Sequence, residues 1–82
     1  MKVLPKGTFE ILTALEKGPR RFYELALTRV GSKTINRRTL AERLKMLEKD
    51  GLVGRVVIDS RPPFAKYSLT ERGQRLLALM KE

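Results

Sequence analysis

Two adjacent arginines, Arg37 and Arg38, stand at the start of a leucine-spaced segment in the middle of the sequence. Asn36 directly precedes them and is a typical helix N-cap, so both arginines are expected in a first helical turn, where the helix dipole disfavours positive charge. This placement indicates an anionic partner, because a guanidinium can bind a phosphate or the edge of a base. The candidate contacts in this region are Lys33, Asn36, Arg37, Arg38, Thr39, Ala41, Glu42 and Lys45.

The same polar residues have a second interpretation, a helix face that is simply solvated. In that case Arg38 pairs with Glu42 at i, i+4, an interaction that contributes only a few tenths of a kcal/mol. Thr39 and Ala41 flank the exposed face, where they are suited to a base edge or a thymine methyl group. The elements around the helix favour the binding interpretation.

The whole sequence is basic. It contains 18 lysines and arginines against 9 acidic residues in 82, a formal charge of +9 with a pI near 10.5. This excess suits a polyanion, and nucleic acid is the leading partner, although a ribosomal protein or a basic membrane-surface helix remains open on charge alone. Further candidate contacts are Arg20 and Arg21, which approach phosphates from the start of a second helix, and Arg61 in a proline-containing turn. The alternatives are that Arg21 packs its stem beside Phe22 and that Arg61 is only a solubilising charge.

The residue types exclude several kinds of chemistry. Cysteine and histidine are both absent, which excludes disulfides, thiolate chemistry, zinc fingers and imidazole bases. The nine acidic residues are scattered without a convincing acid/base pair, so we predict neither an enzyme nor a cofactor. No apolar run approaches the roughly 20 residues that cross a bilayer, and the first six residues lack the apolar region of a secretory signal. A cytoplasmic protein without membrane contact is expected.

The candidate contacts need a helix that presents them. Leu40, Leu44 and Leu47 fall on one stripe, and Gly51 provides the stop, which predicts a helix over about 37–50. Thr8 is expected to cap a first helix over 9–17, and residues 20–30 are predicted to form a second, with Ile35 tucked into the core of the protein after it. A strand over 52–58, a turn over 59–63, a returning strand over 65–69 and a helix over 71–82 complete the chain.

This order predicts a single domain over 1–82, mainly α with a small β-hairpin: α-α-α-β-β-α, a winged helix-turn-helix. The second helix of such a motif lies in the major groove while the first crosses the backbone. The aromatic residues Phe9, Phe22, Phe64 and Tyr67 are expected to pack in the core rather than stack on bases.

The last helix carries more apolar residues than one buried stripe needs. It is therefore predicted to be a dimerisation helix, although the alternative is that these residues only complete the domain's own core. The residues expected at a homodimer interface are Leu76, Leu77, Leu79 and Met80, with Ile11 or with Val3 and Leu4.

Three stretches of the sequence resemble the HxlR-type transcriptional regulators, relatives of the MarR and PadR groups. They are G-P-R-R-F-Y-E-L over 18–25, I-N-R-R-T-L-A-E-R-L-K-M-L-E-K-D-G-L-V over 35–53 and P-P-F-A-K-Y-S-L-T-E-R-G over 62–73. The resemblance implies a homodimeric regulator of transcription, with the helix after Asn36 in the major groove and the wing near Arg61 on the minor groove or backbone. Some members sense electrophiles through a cysteine, a property that does not carry over to this cysteine-free sequence.

Two functions remain open at this point. The first is a sequence-specific regulator that binds double-stranded DNA, and the second is a winged-helix module that binds nucleic acid without sequence preference or binds another protein. They differ in the ratio of specific to non-specific affinity. The sequence identifies no small-molecule effector.

Overall fold

The computed structural model describes residues 4–82, which form four α-helices and two small antiparallel sheets. The elements in chain order are α1 (Thr8–Glu16), β1 (Arg20–Arg21), α2 (Phe22–Leu25), β2 (Arg29–Val30), β3 (Lys33–Thr34), α3 (Arg37–Lys49), β4 (Val53–Ile58), β5 (Phe64–Leu69) and α4 (Glu71–Met80). The main elements follow the predicted winged helix-turn-helix order. None of the described helices is both long and apolar enough to cross a membrane.

The buried core lies between the four helices and the larger sheet. The leucine stripe of α3 faces this core as predicted, since Leu40, Leu44 and Leu47 are each at most 1% exposed. Burying one apolar side chain of this size stabilises a fold by about 1.5–3 kcal/mol, so the stripe holds α3 firmly and leaves its opposite face outward. The remaining core residues are Ile11, Leu12, Leu15, Leu25, Ile35, Leu52, Val53 and Leu77.

A three-stranded sheet carries the wing, which we define as β4, β5 and the loop over 59–63 between them. Its strand order is β1-β5-β4, with Ile58 opposite Phe64 beside the loop. At the other edge β1 pairs with β5, placing Arg21 opposite Lys66. The hairpin is thus the predicted one, but it is also tied to the segment that leads into α2.

Helix α4 packs closely against the backbone that follows α3. Thr70 caps this helix, as predicted, through a hydrogen bond that its hydroxyl accepts from the backbone N–H of Gly73 at 3.1 Å. A Cβ on Gly73 would lie only 2.0 Å from the backbone oxygen of Leu52, so this position requires glycine. The buried face of α4 is therefore the one that carries Gly73 and, four residues on, Leu77.

The predicted second helix over 20–30 is wrong in extent. Only Phe22–Leu25 is helical, because Arg20–Arg21 pairs with β5 and Arg29–Val30 turns back onto Lys33–Thr34. Gly31, with φ at +68°, makes that turn possible. Leu27, which the predicted helix would have included, is 74% exposed.

The start of α1 also differs from the prediction. Gly7, at φ +92°, occupies the N-cap position, and Thr8 is the first helical residue. The Thr8 hydroxyl is buried and donates a hydrogen bond to the backbone oxygen of Pro5 at 2.7 Å. The other predicted bounds agree with the structure to within one or two residues, with α3 ending at Lys49 and α4 at Met80.

Candidate nucleic-acid interface

The first turn of α3 is fixed by Asn36. Its side-chain oxygen accepts hydrogen bonds from the backbone N–H groups of Arg38 at 2.8 Å and Thr39 at 3.4 Å, which confirms the predicted cap. Capping occupies the oxygen, so the side-chain NH2 is the group of Asn36 that can donate to a ligand. The cap also sets the direction in which the next two side chains leave the helix.

The outer face of α3 is polar and exposed. Arg38 pairs with Glu42, with 3.5 Å between Nε and Oε1, and its side chain is 90% exposed. Such a pair contributes little, so the guanidinium can turn to a stronger partner at small cost. Other candidate contacts lie on the same helix: Arg37, Ala41 and Lys45 are exposed, and Thr39 is half-buried.

A tyrosine that sequence reasoning missed stands beside this face. Tyr23 in α2 is 70% exposed, and the guanidinium carbon of Arg37 lies 5.4 Å from the centre of its ring. Cation–π attraction operates at this distance, so the ring helps to place the arginine. The ring of Phe22 meets Tyr23 edge-on, with 6.3 Å between ring centres. The sequence offers little signal for it, because Tyr23 lies between Phe22 and Glu24 in a segment that is predicted as one longer helix.

The two arginines of β1 are each engaged within the chain. Arg20 donates from Nη1 to the backbone oxygen of Pro19 at 3.0 Å. The guanidinium of Arg21 lies over the ring of Phe64, 3.6 Å from its centre, while the backbone N–H of Arg21 donates to the Glu24 carboxylate at 2.9 Å. Both arginines thus lie near the wing rather than near the start of α3.

A basic hollow of about 240 Å³ adjoins the N-terminus of α3. Its lining includes the basic residues Lys6, Lys33 and Arg43 and the apolar residues Val30 and Ile35. Lys33, in β3, is exposed. The Nε of Arg43 donates to the backbone oxygen of Lys6 at 2.9 Å, so this arginine makes an intramolecular contact. The hollow therefore extends the positive surface of the helix.

Arg61 projects from the wing loop and is exposed. The loop is braced next to it, because the Ser60 hydroxyl donates to the backbone oxygen of Pro62 at 2.8 Å. Arg61 and the start of α3 belong to the two separate elements with which a winged helix contacts DNA, the wing and the recognition helix.

The residues predicted for a dimer interface divide into three groups by their exposure. Leu4 and Leu79 are 41% and 64% exposed, and Leu76 and Met80 are half-buried against the core. Ile11 and Leu77 are buried at 0% and 1% exposure inside the chain's own core, so placing them at an interface was wrong. They occupy the inward faces of α1 and α4, which the two helices use against each other and the sheet. Val3 lies outside the described residues.

The acidic residues form no metal site in the part of the chain that the structure describes. No three of them come close enough together to share an ion. The arrangement over residues 4–82 is therefore one of exposed cations on a rigid helix and a loop, which is suited to binding an extended anion.

Comparison with known proteins agrees with this geometry. A family model of HxlR-like helix-turn-helix proteins matches residues 4–82. The HTH-type transcriptional regulator YodB of Bacillus subtilis is 40% identical over 72 residues, which are 88% of this chain and 62% of that protein. The crystal structure of diamide-treated YodB superposes with a TM-score of 0.84 at 36% identity, covering 94% of this chain and 73% of that one.

A second solved structure, a PadR family transcription regulator from Clostridium difficile, gives a TM-score of 0.82 at 26% identity, covering 94% of this chain and 84% of that one. The present chain is shorter than such proteins. It spans between half and two thirds of the length of the curated relatives that it matches.

Proposed function

Since the chain belongs to the family of HxlR-like helix-turn-helix proteins, we propose that it is a sequence-specific regulator of transcription that binds double-stranded DNA. The observation that carries this proposal is the pair of exposed arginines in the first turn of α3, held outward by a buried leucine stripe. In this function α3 enters the major groove by its N-terminal end.

The contacts in this proposal divide into those that position the protein on DNA and those that specify the DNA sequence. Lys33 and Lys45 meet phosphates, which gives affinity without sequence information. Arg37 and Arg38 reach base edges or phosphates from the first turn of α3, and Arg61 approaches the minor groove or backbone from the wing. The protein acts by occupying its site on DNA rather than by catalysis, needs no cofactor, and is cytoplasmic.

The second candidate is a winged-helix module that binds nucleic acid without sequence preference. The total charge of +9 favours it, because phosphate contacts alone support such binding. The two candidates predict different outcomes when bound sequences are selected from a random duplex pool. A specific regulator enriches one motif, and a non-specific binder enriches none.

We test the proposal by that selection, followed by binding of the enriched duplex and a scrambled one over a salt series. Enrichment of a motif supports a specific regulator. The double variant Arg37→Ala/Arg38→Ala is expected to lose the preference while remaining folded. An unselective wild-type chain refutes the proposal in favour of the second candidate.

We also propose a homodimer formed through α4, because Leu79 and Leu4 are large apolar residues left at the surface. A dimer presents two copies of α3 to successive turns of DNA, so the enriched motif is expected to be a palindrome. Leu79→Asp is expected to give a monomer in sedimentation analysis. Leu27→Asp is the matched control, since Leu27 is 74% exposed and lies outside α4. A wild-type chain that is monomeric at micromolar concentration contradicts the dimer.

A further inference from the structure

A side-chain contact on the outer face of the wing's sheet joins Phe64 of the wing to Arg21, which leads into α2. Arg21 is the cross-strand partner of Lys66, and Phe64 lies two residues before Lys66 on the same strand. Alternate residues of a strand share a face, so all three side chains lie on one side of the sheet. The diagonal distance between strands is within reach of long and aromatic side chains, which allows Arg21 to reach Phe64.

Charge and geometry both direct Arg21 toward Phe64. Two cations directly opposite each other across strands repel, so Lys66 disfavours a guanidinium that stays beside it. The negative face of an aromatic ring attracts a guanidinium, and the observed 3.6 Å from guanidinium carbon to ring centre is a close stack. The hydrogen bond that the Arg21 backbone N–H donates to the Glu24 carboxylate holds the backbone of Arg21 at the start of α2.

Phe64 is well placed to transmit this contact to the wing loop. It is the first residue of β5 and the partner of Ile58, the last residue of β4, so this pair closes the base of the loop. Arg61 lies three residues before Phe64 in the sequence. Holding the ring of Phe64 therefore limits how far the loop can swing from the rest of the fold.

We infer that Arg21 is a positioning residue rather than a DNA contact: by stacking on Phe64 it sets where the wing stands relative to α3. The inference rests on the proposed DNA binding, and it assigns Arg21 a different task from the phosphate contact that the sequence suggests. The stack lets the arginines of α3 and of the wing engage the same duplex together.

The stack itself is tested without DNA. Nuclear magnetic resonance of the isotopically labelled chain is expected to show the Arg21 side-chain N–H shifted upfield by the ring current of Phe64. Phe64→Leu removes the ring and is expected to abolish the shift, whereas Phe64→Tyr keeps the ring and preserves it. A wild-type resonance at the ordinary arginine position overturns the inference.

The positioning role is tested by double-variant binding to the selected duplex. The loss of affinity caused by Arg61→Ala and the loss caused by Arg38→Ala are each measured in the wild-type and in the Phe64→Leu background. The affinity that Arg61 contributes is expected to fall by about two- to five-fold without the ring, the range of an exposed cation–π contact. The contribution of Arg38 is expected to be unchanged, since α3 is held by its own core residues. Phe64→Tyr is expected to restore the full effect of Arg61→Ala.

Two outcomes refute the positioning role alone. One is an effect of Arg61→Ala that is the same with and without the ring, or is absent in wild type. The other is a loss of affinity caused by Arg21→Gln that persists in the Phe64→Leu background and is accompanied by a weaker salt dependence of binding. That result identifies a direct phosphate contact. If Phe64→Leu does not fold, Arg21→Gln replaces it in the comparison. A wild-type chain that binds no selected duplex refutes the proposed function, and the inference with it.

Discussion

Replacing Arg38 with alanine removes one guanidinium from the exposed face of α3 while leaving the fold nearly unchanged. The side chain is 90% exposed, and its pairing with Glu42 has 3.5 Å between the nearest atoms. Exposed i, i+4 pairs contribute about 0.3–0.5 kcal/mol, and the higher helix propensity of alanine offsets part of that loss. The free energy of unfolding is therefore expected to change by less than about 0.5 kcal/mol.

The effect on DNA binding is expected to be much larger. If Arg38 contacts a base edge, Arg38→Ala costs about 1–3 kcal/mol, a 5- to 150-fold loss of affinity confined to the specific duplex. If it contacts a phosphate, binding weakens evenly on all duplexes, and the slope of log affinity against log salt falls by about one. Fluorescence anisotropy over a salt series distinguishes the two.

Arg75→Ala is the matched control for this measurement. Arg75 pairs with Glu71 at 2.6 Å, also at i, i+4, and the two side chains are 75% and 78% exposed. The substitution makes the same change in charge and in helix pairing, but on α4, and sedimentation is expected to show the same oligomeric state as wild type although Arg75 lies one turn before Leu79. Equal affinities for Arg38→Ala and Arg75→Ala on every duplex would refute the assignment of α3 to the groove.

Three further substitutions test the packing of α4, the cap of α3 and the contact between Tyr23 and Arg37. Gly73→Ala places a methyl group 2.0 Å from a backbone oxygen, so the free energy of unfolding in urea is expected to fall by at least about 2 kcal/mol. Gly54→Ala serves as the control, because a Cβ at Gly54 has its nearest neighbour at 3.9 Å. Asn36→Ala removes the cap of α3 and is expected to lose about 1 kcal/mol in the same assay, against a few tenths for Asn36→Gly, and equal losses would argue against the cap. Tyr23→Leu removes the ring beside Arg37 and is expected to weaken DNA binding by about two- to five-fold; the same loss in an Arg37→Ala background would contradict that contact.

Helix α3 could be predicted from the sequence because everything that defines it is local. The cap at Asn36, the leucine stripe and the stop at Gly51 lie within 16 consecutive residues. The segment over 20–30 was predicted less well, because its ends belong to strands whose pairing is set elsewhere. β1 pairs with residues more than 40 positions away, a contact that helical periodicity does not reveal.

The candidate site shows the same division between local and distant information. The exposed arginines of α3 follow from the helix itself, but the aromatic partners of Arg21 and Arg37 depend on how α2 and the wing pack. The face of α4 that is buried was also ambiguous in sequence. Gly73 and Leu77, four residues apart, mark it once the close approach of the backbone is known.

In the proposed function, α3 and the wing recognise a particular DNA sequence. The most direct test is the ratio of dissociation constants for the selected duplex and a scrambled duplex of the same composition, measured at physiological salt. A specific regulator is expected to bind its own site at least about 1,000-fold more tightly. Equal affinity for the two duplexes would contradict the claim and identify a binder of DNA charge alone.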